Sequence, residues 1–73
     1  MNQENARLGR VISKLRQERG VSQELFAELA GVHRTYVSQL ERGIKSPTLA
    51  VLSKIASALE LKASELIRLT EVE

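Results

Sequence analysis

The 73-residue chain has no cysteine, no tryptophan and no aspartate, and only one each of proline, histidine, tyrosine and phenylalanine. Each shortage closes a class of chemistry. Without cysteine there is no disulfide, thiolate metal site or thiol nucleophile, a composition suited to a reducing compartment. His33 is a lone imidazole with neither cysteine nor aspartate to join it, so no metal site is expected. No nucleophile–base constellation and no glycine-rich phosphate loop can be assembled, so neither an enzyme nor a cofactor is expected. No apolar run approaches the ~20 residues of a membrane span, which argues against a membrane protein. The polar start MNQENARLGR lacks the apolar centre of a signal peptide, and the expectation is a soluble cytoplasmic protein.

Short length limits the core as well. A domain of this size buries only about 60% of the surface its unfolded chain exposes, and self-association is the simplest source of further stability. The net charge of +2 is unevenly spread: residues 1–45 hold eight Lys or Arg against five Glu, whereas residues 46–73 hold three against four. The basic part suits a polyanionic partner.

What the chain does have is helical patterning, densest between Ser22 and Gly43. Leu25, Phe26, Leu29 and Ala30 form one apolar stripe and Val32, Val37 and Leu40 a second, each with the 3.6-residue period of an amphipathic helix. Ser22 is placed to cap the first helix and Gly31 to end it by adopting positive φ. So short a link forces the two helices to cross steeply, and Ala27 is the small residue that a crossing needs. His33 stands where the second helix should be capped. On the outside of that helix Arg34, Thr35, Ser38, Gln39 and Arg42 fall at i, i+1, i+4, i+5 and i+8, a flank of donors and acceptors with no apolar member. Such a flank can read base edges, since Arg can bond guanine twice, Gln can pair with adenine, and Thr or Ser can meet either. Tyr36 sits at its border, suited equally to core packing or to a backbone contact.

The same reading extends to both sides. Leu8, Val11, Ile12 and Leu15 give a first helix over about residues 5–19, with Arg10 and Lys14 as candidate phosphate contacts. Gln23 lies where a helix start presents free N–H groups, a natural phosphate seat. Gly43 to Pro47 is a connector that leaves Arg42, Lys45 and Ser46 as further backbone contacts, and Thr48 caps the next helix. Val51, Leu52, Ile55, Ala56 and Leu59 define a helix over about 48–59. A last helix over about 63–70 carries Leu66, Ile67 and Leu69, whose spread over more than one face suggests a homodimer interface formed together with the end of the helix before it.

Residues 23–42 resemble the helix-turn-helix of the phage-repressor and xenobiotic-response-element (XRE) family. Ala27 takes the small crossing position, Gly31 the turn, and Phe26, Ala30, Val32, Val37 and Leu40 the apolar positions. The resemblance continues through the LRxxRGxSQ run from Leu15 to Gln23, then LERG, KSPTL and the Ile-Ala-x-x-Leu run of residues 55–59, about nine tenths of the chain. The string HRTYVSQLERG is similar to the small controller proteins of restriction-modification systems. The resemblance implies an all-α, five-helix lambda-repressor-like domain whose helices 2 (22–30) and 3 (33–42) form the motif. It implies a transcriptional regulator that binds double-stranded DNA as a dimer on a near-palindromic operator, with helix 3 in the major groove. Arg34, Thr35, Ser38 and Gln39 would read bases, while Ser22, Gln23, Tyr36, Arg42, Lys45 and Ser46 would touch the sugar–phosphate backbone. It also implies that Arg16 pairs with Glu41 and that Gln23 braces the reading helix. The family usually has Gly where this chain has Glu60. An antitoxin-like module, which binds DNA and also masks a partner protein, is the alternative.

Overall fold

Helix boundaries follow the capping chemistry written into the sequence. The computed structural model describes residues 3–73, and among these it has five α-helices and no strand: α1 (Gln3–Glu18), α2 (Gln23–Ala30), α3 (Arg34–Glu41), α4 (Leu49–Ala58) and α5 (Ala63–Glu71). Ser22 Oγ accepts the Leu25 N–H at 3.0 Å and Thr48 Oγ1 the Val51 N–H at 3.2 Å, each satisfying a donor that the first helical turn leaves over. Gly31 takes φ 70° at the end of α2, and the chain reverses so that the Val32 N–H bonds the Ala27 carbonyl at 3.0 Å. At α5 the Glu65 carboxylate accepts the Lys62 N–H at 2.9 Å.

Glu60 is the one non-glycine residue at positive φ among those described, at 61°. A side chain in this left-handed region costs ~1–2 kcal/mol, partly offset by the lower entropy that Glu loses on ordering compared with Gly. Its carboxylate accepts from Arg19 Nη1 at 3.0 Å, but both side chains are exposed, and such pairs contribute little. Glu60→Gly is therefore expected to stabilise the protein, by up to ~1 kcal/mol, a Tm rise of a few degrees in a thermal melt. A fall in Tm would mean that the Arg19 contact outweighs the backbone strain.

All five helices contribute to one core, in which Ile12, Phe26, Val37, Leu40, Ile55, Leu59 and Leu66 are fully buried. Two expectations change here. On α2 the buried residues are Phe26, Ala27 and Ala30, while Leu25 and Leu29 are 45% and 58% exposed. The helix rests on Phe26 and Ala30, one turn apart, which puts positions 25 and 29 about 100° round the cylinder and off the core. On α5, Leu66 has no exposed surface and fills the core, so it has none to offer a subunit interface. Ile67 and Leu69 remain 41% and 39% exposed, but two residues correspond to about 200° of rotation. Ile67 borders a cleft with Pro47 and Leu52, and Leu69 borders another with Val11 and Leu15. One flat two-fold face cannot cover both.

The contact of α1 with α3 is unusually close. A Cβ placed on Gly9 would lie 2.4 Å from the Leu40 carbonyl oxygen and 2.6 Å from that of Glu41. Backbone thus meets backbone, and the first helix is pressed directly on the last turn of α3.

Candidate nucleic-acid interface

Helix α3 is fixed from inside by Val37 and Leu40, both buried, and at its start by His33. The imidazole Nδ1 accepts the Thr35 N–H at 3.1 Å, doing the work of the Ser or Asn commonly found there. With the inner side anchored, the outer side carries Arg34 and Thr35 exposed and Ser38 and Gln39 half-buried. Tyr36 is half-buried and packs against the core, so its ring belongs partly to the scaffold. Beyond the helix, Arg42, Lys45 and Ser46 are exposed.

The electrostatics of this flank depend on Glu41, the only acidic residue from 34 to 46. Its side chain is 6% exposed and turned inward, where Arg16, itself 12% exposed, meets it with two bonds: Nε to Oε2 at 2.7 Å and Nη2 to Oε1 at 3.1 Å. The remaining Arg16 nitrogen donates to the Val21 carbonyl at 2.7 Å, and Gln23 Nε2 donates to Glu41 Oε1 at 2.9 Å. This network ties α1 to the entry of α2 and the end of α3, and every nitrogen and oxygen of the Arg16–Glu41 pair has a partner, as burial requires. Two results follow. The exposed surface from 34 to 46 keeps three cations, Arg34, Arg42 and Lys45, with no exposed acid among them. Gln23, half-buried, is held against the end of α3 at the start of α2.

Ser22 is exposed, and its oxygen is engaged by the Leu25 N–H, which leaves its O–H as the group able to donate outward. Arg10 is engaged elsewhere: its Nε bonds Glu73 Oε1 at 2.6 Å on the surface, so of the two candidates on α1 it is Lys14 that has no carboxylate within salt-bridge distance among the described residues. The described residues hold no group of three His, Cys, Asp or Glu side chains suited to a metal ion, and no helix long and apolar enough to cross a membrane.

Sequence reasoning passed over Gly9 and the Val21 carbonyl. The first had a signal: a glycine inside a helix costs ~1 kcal/mol relative to alanine and so points to a packing demand. The second had none, since any residue carries a carbonyl.

Comparison with known proteins places this geometry among described ones. The family model described as Helix-turn-helix matches residues 12–66. The control protein C.MunI of a Mycoplasma species is 39% identical over 74 residues, covering 100% of both chains. An uncharacterised HTH-type transcriptional regulator of Mycobacterium tuberculosis is 43% identical over 58 residues, 80% of this chain, which spans only 41% of that relative's length. Among solved structures, the restriction-modification controller protein C.AhdI from Aeromonas hydrophila superposes with a TM-score of 0.85 at 35% identity, covering 89% of this chain and 98% of that one.

Proposed function

The chain belongs to the helix-turn-helix family, and on that premise we propose that it is a sequence-specific regulator of transcription that binds double-stranded DNA in the cytoplasm, with α3 in the major groove. The observation that carries this reading is the outward flank of α3, a row of donors, acceptors and cations whose one acid, Glu41, is folded away and paired. Arg34, Thr35, Ser38 and Gln39 read base edges. Ser22, Gln23, Tyr36, Arg42, Lys45 and Ser46 hold the sugar–phosphate backbone and set the register. The similarity to C.MunI along the whole of this chain and the superposition on C.AhdI favour a regulator of the controller type.

Two copies associate through the side of α5 that bears Ile67, beside Pro47 and Leu52. A two-fold dimer of this kind reads a near-palindromic operator with half-sites one helical turn, about 34–36 Å, apart.

Selection from random duplexes with the purified protein tests this directly. The expected product is a two-fold symmetric site of that spacing, and recovery of unrelated sequences would refute the reading. On the selected operator, Arg34→Ala should cost about 1–3 kcal/mol and relax the preference at one base pair in each half-site. Lys45→Ala should weaken all duplexes alike and flatten the salt dependence. If both changes act equally on operator and random DNA, the division between reading and positioning residues fails.

A further inference from the structure

We propose that His33 makes a DNA contact of its own, donating from Nε2 to a phosphate oxygen of the bound duplex. The proposal rests on the DNA-binding reading of α3 and adds a residue that the reading leaves as a cap.

The argument begins with the tautomer. Nδ1 accepts the Thr35 N–H at 3.1 Å, and a ring nitrogen that accepts carries no proton. In the neutral ring the proton is therefore on Nε2, because the bond made by one nitrogen settles the state of the other. Nε2 lies across the ring from the capped turn. The residue is exposed, and among the described residues Nε2 has no hydrogen-bond partner. The first turn of α3 thus holds an oriented donor facing outward, immediately before Arg34.

A phosphate oxygen suits this donor for two reasons. It is beside the positive end of the α3 dipole, which favours an anion. It also stands at the cap, ahead of the outward flank that Arg34, Thr35, Ser38 and Gln39 form. Serine or asparagine would cap the helix as well. Their hydroxyl or amide can also donate while capping, but their side chains are shorter, and the imidazole carries its donor farther from the backbone on a rigid ring.

His33→Ser separates the two jobs, since serine keeps the cap while its hydroxyl, held close to the backbone where the capping nitrogen stood, falls short of the phosphate that Nε2 reaches. The thermal melt should stay within a few degrees of wild type, while operator affinity falls about three- to tenfold, the loss of one net hydrogen bond. Phosphate-ethylation interference supplies the specific readout. One phosphate in each half-site whose ethylation impairs the wild type should have no effect on the variant. His33→Ala, which loses cap and donor together, should lower both Tm and affinity. Wild-type affinity and an unchanged interference pattern in His33→Ser would overturn the contact while leaving the DNA reading intact. Lost preference at one base pair with every interfering phosphate retained would also overturn it, by assigning Nε2 to a base edge. A wild type that selects no duplex would refute the underlying reading and this contact with it.

Discussion

Glu41→Ala is expected to destabilise the protein by about 3–5 kcal/mol, the cost of leaving a buried charge without its partner. The truncation strands Arg16 Nε and Nη2 and Gln23 Nε2, which together donate three bonds to that carboxylate. Both ionic side chains are almost wholly screened from solvent, at 12% and 6% exposure, so water cannot easily take over. A domain of this length has a total stability of roughly 4–11 kcal/mol, and the loss should lower Tm by more than about 10 °C. The partner change behaves differently. Arg16→Met with Glu41→Leu removes both charges and fills similar space, and should recover most of the loss, because an apolar replacement of a buried pair is often neutral or better. Thermal or urea melts of the single and double variants check both outcomes. A single variant that melts within a few degrees of wild type would mean that the pair is solvated.

Gly9→Ala is the second large effect, and its sign is decided by competing magnitudes. In an exposed helix the change would stabilise by about 0.8–1 kcal/mol through helix propensity. Here the new methyl group would sit 2.4 Å from one backbone carbonyl oxygen and 2.6 Å from the next. Neither oxygen can rotate aside, so α1 must retreat by roughly 1 Å, disturbing the packing of Val11 and Ile12 and the reach of Arg16 toward Glu41. Overpacking of this kind costs about 1–3 kcal/mol, and more when the obstacle is backbone. The net expectation is a loss of about 2 kcal/mol or more, a fall in Tm near 10 °C by scanning calorimetry. Operator affinity should fall too, since the shift displaces the end of α3. A higher Tm in Gly9→Ala would refute the close approach.

What could be recognised from sequence was what is local. Ser22, Thr48 and Gly31 act within three or four residues of themselves, and their chemistry marks helix ends wherever they stand. The outward flank of α3 was equally legible, because helical period alone separates Arg34, Thr35, Ser38 and Gln39 from Val37 and Leu40. Errors arose where a neighbouring helix decides. Leu25 and Leu29 look like core in a list of apolar residues, yet the tilt set by Phe26 and Ala30 leaves them outside. Leu66 and Leu69 look alike on α5, but one fills the core and the other borders a cleft. The Arg16–Glu41 pairing spans 25 residues and was implied by family resemblance, while its third acceptor, the Val21 carbonyl, left no trace in residue type.

The division of labour along α3 also bears on how such a protein can change its target. Val37 and Leu40 seal the interior, and Glu41 locks the neighbouring helices, so positions 34, 35, 38 and 39 are excused from holding the molecule together. On the proposed reading, substitutions there can accumulate at small cost in stability, letting duplicated copies drift toward different promoters on an unaltered frame. Recognition becomes an interchangeable lettering, and the same frame invites combinatorial libraries at those four sites.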